Sequence, residues 1–190
     1  MTVLNVLNMK NILLLLILLL IINNCCAQDN QTESNWLFVE YNYSNGPVPP
    51  KYQYRYTIKI DNKMNGSIRY SFAYDSSSKK YVETINFTID EERMKLIDEA
   101  IINSKVTTEK IESLPPEEIP KGGHIKYLRI AIPTENDETK LIKVTSNPSE
   151  KYSQALNYLY NLIYESVPNN ILKDLNQKRA EYKEKQKQKN

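Results

Sequence analysis

His124 is the only histidine in the chain, and it follows Gly122-Gly123 where an apolar run, Ile125 to Ile132, begins. A side chain at the start of a strand can project into a cleft, so this imidazole is a candidate catalytic group or ligand. Its plainer role is an exposed, hydrogen-bonded loop histidine. Glu83 is the second candidate, because it interrupts a face otherwise made of Tyr81, Ile85 and Phe87 and so sets a carboxylate among aromatic rings. The plainer reading is a strand end where the carboxylate reaches water. Tyr43, Tyr52 and Tyr54 form the third group, phenol rings near strand ends that can stack on a sugar or offer hydroxyls to a partner.

The usual companions of catalysis are missing. No phosphate-binding glycine loop, dinucleotide fingerprint, HExxH, CxxC or GxSxG motif occurs. Both cysteines, Cys25 and Cys26, are adjacent and lie near the N-terminus, so the body that follows has neither a disulfide nor a thiol for a Cys-His pair. With one histidine, multi-histidine zinc sites and copper-thiolate sites are excluded as well. What remains open to an enzyme is carboxylate or Ser-Lys chemistry, and neither a cofactor nor a metal is expected. Glu117, Glu118, Glu135, Asp137 and Glu138 fall in expected loops and read as solvated acids.

The 190 residues suit one domain with an accessory segment, and a net charge of +2 supplies no strong field toward nucleic acid. Ile12 to Ile22 is an unbroken run of isoleucine and leucine after Lys10, too short to span a bilayer and followed by small and polar residues. It reads as a signal peptide over residues 1–27, with Met9 as an alternative start to Met1. Cys25 and Ala27 fit cleavage before Gln28, which would release a soluble protein. Ile22-Asn23-Asn24-Cys25 also resembles a bacterial lipobox, in which Cys25 would carry a lipid anchor and be the only link to a membrane. The destination is the periplasm, the cell surface or the medium. Sequons at Asn30, Asn42, Asn65 and Asn86 are the chance product of an asparagine-rich chain.

The elements that must position the candidates follow from periodicity. After a linker at 28–35, a single domain at 36–176 begins with strand Trp36 to Tyr43, then a turn at Ser44 to Pro47. Tyr52, Tyr54, Tyr56, Ile58 and Ile60 alternate with polar residues, a period of two that gives one apolar face. Ile68, Tyr70, Phe72 and Tyr74 do the same in the next strand. Both sets are even-numbered, so pairing must join even to even, which a three-residue loop Met64-Asn65-Gly66 with Gly66 left-handed achieves. That register sets Ile60 against Tyr70, Ile58 against Phe72 and Tyr56 against Tyr74. On the opposite face it pairs Asp61 with Arg69 and Arg55 with Asp75. A fourth strand carries Tyr81 to Ile89. Thr88 to Glu91 has a capping-box pattern, starting a helix near 89 or 90 with Met94, Ile97, Ala100 and Ile101 on its buried face.

Beyond a proline-rich connection at Ser113 to Gly123, strands Ile125 to Ile132 and Thr139 to Thr145 follow. Asn147-Pro148-Ser149-Glu150 reads as a helix start capped by Asn147, and Pro168 ends or kinks that helix before a second. Residues 177–190 hold six Lys or Arg against two Glu and read as a charged, solvated helical extension. The order β-β-β-β-α-β-β-α-α argues an α+β fold, an antiparallel sheet of about six strands with helices packed on one face.

The expectation is an exported, noncatalytic domain that binds an unidentified protein or glycan, with nucleic acid an improbable partner. The alternatives are a carboxylate-dependent glycan or peptidoglycan hydrolase with Glu83 as the acid, and an inhibitor of an envelope hydrolase presenting the Ser113 to Gly123 loop.

Overall fold

The protein is seen here as a computed structural model that describes residues 35–49, 52–72, 81–136 and 138–188. The leader, Cys25, most of the linker, Tyr74 and Asp75 lie outside the described residues. The described residues fall in one compact unit, Ser34–Asn190. Strands β1 (Phe38–Ser44), β2 (Arg55–Asp61), β3 (Asn65–Ser71) and β4 (Val82–Thr88) lead to helix α1 (Glu91–Ser104). Strands β5 (Ile125–Pro133) and β6 (Thr139–Lys143) follow, then helices α2 (Glu150–Glu165) and α3 (Asn169–Lys187). The fold is α+β, with every strand pair antiparallel in a six-stranded sheet of order β4-β3-β2-β1-β5-β6.

Alternation along the strands builds one apolar face. Val39 and Tyr41 of β1 lie opposite Ile60 and Ile58 of β2 and opposite Ile130 and Leu128 of β5, all buried. The helices complete this core with Ile97 and Ile101 of α1, Leu156, Leu159 and Ile163 of α2, and Leu175 of α3. Their specific contacts run to the same face: Tyr160 stacks on Tyr41, Arg179 covers Tyr54, and Tyr182 meets Tyr81 edge-on. Trp36 is buried and ties the chain to α1 by donating from Nε1 to Asp98 at 2.6 Å. The other face is polar. Its Glu40 is buried, where desolvation pushes the carboxyl up, but hydrogen bonds from Arg129 and Asn42 outweigh that and hold it below its usual range.

The β2–β3 hairpin differs from expectation. The parity is as reasoned, yet Ile58 faces Ile68, Tyr56 faces Tyr70 and Ile60 faces Gly66, so the loop sits two residues earlier and each partner is displaced by four. Thr57, not Asp61, faces Arg69, and Ser71 faces Arg55. The loop is three residues, Asn62-Lys63-Met64, and it is Met64 that adopts the left-handed conformation (φ 65°). Asp61 is the reason. Its carbonyl accepts from Met64 N, and its carboxylate accepts from Lys63 N and Asn65 N at 2.9 Å each, the pattern of an aspartate opening a type I turn. Gly66 serves a second need inside β3, because a Cβ there would overlap the Phe87 ring.

Two helix starts are also displaced. Asp90 caps α1 by accepting from Arg93 N at 2.7 Å, so the Thr88 capping box is not used. For α2 the cap is Ser149, without a side-chain bond, and not Asn147. Pro148 forms a bridge with Ser113, with Leu114 N donating to Asn147 O and Ser149 N to Glu112 O. Pro168 caps α3, which continues through Gln177 without a break. Arg179 and Tyr182, expected in a solvated extension, are half-buried against the sheet because the two tyrosines they cover would otherwise be exposed there.

Candidate functional site

Three of the five candidate side chains meet, and the topology explains why. Central β1 is antiparallel to both β2 and β5, so its C-terminal end lies beside the entry to each neighbour. Tyr43 near the end of β1, Tyr54 just before β2 and His124 just before β5 therefore converge from distant parts of the chain. The Tyr43 hydroxyl bonds His124 Nδ1 at 2.9 Å, and the Tyr54 hydroxyl donates to the Tyr43 oxygen at 3.3 Å. Burial, followed by the neighbouring Tyr54, pushes the Tyr43 phenol well above its ordinary pKa and keeps it a neutral donor.

The loops around this relay are fixed by backbone contacts. Asn45 Oδ1 accepts from Tyr54 N at 2.8 Å and Asn45 Nδ2 donates to the Tyr52 carbonyl at 3.1 Å, which cross-ties the β1–β2 connection. Tyr52 contributes its backbone carbonyl to that tie. Gly46 has φ 81°, and a Cβ on it would overlap the Gly123 carbonyl oxygen. The two glycine-bearing loops thus touch backbone to backbone beside His124. A cleft of about 430 Å³ opens between them, with Ser44, Pro47, Gln53, Pro120, His124 and Asn147 among its lining residues.

Neither tyrosine of the relay is a bare stacking platform. Tyr43 stacks on Tyr56 at 4.7 Å between centroids, and the Arg179 guanidinium sits 3.4 Å from the Tyr54 ring centre. These rings continue an aromatic row through Tyr56 and Tyr70 to Phe72, which packs the core.

Glu83 is elsewhere, facing Tyr70 from edge strand β4. It lines a groove of about 590 Å³ with Phe72, Tyr81, Lys178, Glu181 and Tyr182. Its Oε2 accepts from the Lys178 ammonium at 2.8 Å, an arrangement that uses the carboxylate as an anion. Asp174, the larger influence, and Glu83 together hold that ammonium above its usual pKa. His124 and Glu83 are not brought together. Among the described residues no cluster of three or more His, Cys, Asp or Glu suits a metal ion, and no helix is long and apolar enough to cross a membrane.

Lys178 and Arg179 are the partners that sequence reasoning missed, since a run of basic residues after Gln177 carries no period that betrays which members turn inward. Gly46 and the Gly122-Gly123 pair did carry a signal, because glycine is required where Gly46 meets the Gly123 carbonyl and is favoured by the positive φ of all three. No family model and no curated protein matches the sequence.

Proposed function

We propose that the chain is an exported, noncatalytic domain that holds an uncharged glycan in the cleft at the sheet end. The lining carries this reading: hydroxyls and amides from Ser44, Gln53, Ser146 and Asn147, rigid apolar surface from Pro47 and Pro120, and His124 as the one ionisable side chain among the described lining residues. A charged ligand would find no fixed counter-charge among the described lining residues, whereas a sugar ring needs convergent polar groups beside apolar surface. Gln53 Nε2 donates to Val48 O at 2.9 Å and Asn147 Nδ2 to Ser146 Oγ at 3.3 Å, so each amide is oriented with its oxygen on offer. The His124 ring adds a further hydrogen-bonding group. A binding role is favoured over hydrolysis because His124 is tied to a phenol and Glu83 to an ammonium, far from the paired carboxylates a glycosidase uses. Export rests on the Ile12 to Ile22 leader, and intact mass of the protein from envelope and medium would read cleavage before Gln28 or a lipid on Cys25.

The binding test is calorimetric titration with N-acetylglucosamine and glucose oligosaccharides. Affinity for one series that falls about tenfold in His124→Ala and in Gln53→Ala, with the oligosaccharide recovered intact, supports the proposal. No binding to either series, or release of shorter saccharides, overturns it.

A further inference from the structure

We infer that a second copy of this chain pairs with β4, joining two six-stranded sheets edge to edge about a two-fold axis. The hydrogen bonds say which groups β4 has to offer. Phe72 N donates to Tyr81 O and Ile89 N to Met64 O, so the odd residues from Tyr81 to Ile89 bond toward β3. The backbones of Val82, Thr84, Asn86 and Thr88 then point out of the edge, where no strand among the described residues takes them. Natural sheets blunt such edges with lysine, proline or a bulge. The opposite edge does so, since β6 carries Lys140 and Lys143 in five residues. From Thr84 to Thr88, β4 reads Thr-Ile-Asn-Phe-Thr, with no charge, proline or bulge.

The edge is complementary to its own copy. Outward-pointing backbones fall on even residues, whose side chains share the polar face, so an antiparallel two-fold must pair even with even. Centring the axis on Ile85 uses the whole strand. It sets Thr84 opposite Asn86 of the second copy, Val82 opposite Thr88, and Ile85 against itself beside the core. No charge faces a like charge.

Beyond the strand the same register brings opposite charges together. Tyr81 falls opposite Ile89 of the second copy, and Asp90, Glu91 and Glu92 follow that residue as the acidic start of α1. Against Tyr81 and Glu83 lie Tyr182 and Lys178 of α3, in a stretch that also holds Arg179, Lys183 and Lys185. The stretch also holds Glu181 and Glu184 and keeps an excess of positive charge. Burial, then Arg179 and Lys187, hold the Lys183 ammonium below its usual pKa, a cost that an acidic neighbour offsets. The two-fold makes this contact twice, at the two ends of the junction.

Sedimentation equilibrium on the full chain recovered from expressing cells tests the inference. The expected result is a monomer–dimer equilibrium that stops at the dimer and weakens as salt rises. Thr84→Lys with Asn86→Lys puts like charges directly opposite twice and should raise the dimer Kd at least about tenfold. Both side chains are exposed, so circular dichroism and Tm should stay those of the parent. Glu91→Lys with Glu92→Lys weakens the dimer without touching β4. A monomer at every concentration, open-ended growth, or a dimer indifferent to both double variants overturns the inference.

Discussion

Tyr160 stacks on Tyr41 with ring centroids 4.9 Å apart and planes at 11°, yet its buried hydroxyl has no hydrogen-bond partner among the described residues. Taking a hydroxyl out of water without a partner costs about 1–3 kcal/mol, while the stack itself needs only the ring. Tyr160→Phe is therefore expected to raise unfolding stability by about 1 kcal/mol in urea titration. A loss of stability would mean that the hydroxyl is paired. Other single residues behave oppositely, because their polar groups are matched. Tyr43 is satisfied on two sides by Tyr54 and His124, and Glu40 by Arg129 and Asn42. Which hydroxyl finds a partner was not legible in the sequence, since period two places a tyrosine on a face without saying what lies above it.

At the level of elements, the apolar alternation of β2 and β3 and the helical spacing of Met94, Ile97 and Ala100 could be read directly, as burial of Tyr56, Ile58, Ile60, Ile68 and Tyr70 and of the three helical positions shows. Register and helix starts could not, because each depended on a competition between neighbouring polar residues. Asn65-Gly66 is a strong turn signal, but Asp61 wins by satisfying two backbone N–H groups. That choice places Met64, a side chain bearing a Cβ, at φ 65°. Met64→Gly should stabilise the hairpin by about 1 kcal/mol, since glycine occupies the left-handed region without steric cost. Equilibrium unfolding reads it, and an unchanged or lower midpoint would count against the turn described. Asn147 lost its cap role in the same way, its backbone being drawn into the bridge with residues 112–114. The cap that did form gives a second check. Asp90→Ala removes the acceptor for Arg93 N and should cost about 1 kcal/mol, with the loss appearing as faster amide exchange at the start of α1.

Across the whole molecule the tyrosines make the fold sensitive to alkali. Burial, opposed only by Tyr56, pushes the Tyr41 phenol up to about 12, and burial also raises Tyr56, Tyr70 and Tyr160. In the unfolded chain each would ionise near its ordinary value of about 10. The folded state therefore binds more protons than the unfolded state above that pH. Stability from these groups is complete below about pH 10 and falls as pH rises, by up to about 1.4 kcal/mol per unit for each phenol. Tyr41 alone would remove roughly 2–3 kcal/mol between pH 10 and 12. With several such groups against a total of about 5–15 kcal/mol, the core should open cooperatively within that window. Ultraviolet absorbance of phenolate and far-ultraviolet circular dichroism followed together decide the matter. Coincident, steep transitions are expected, and Tyr160→Phe should move them to higher pH because one raised group is gone. Smooth titration of every tyrosine near pH 10 with the dichroism intact would mean that the aromatic row is open to water, and the packing that brings His124 to Tyr43 would fall with it.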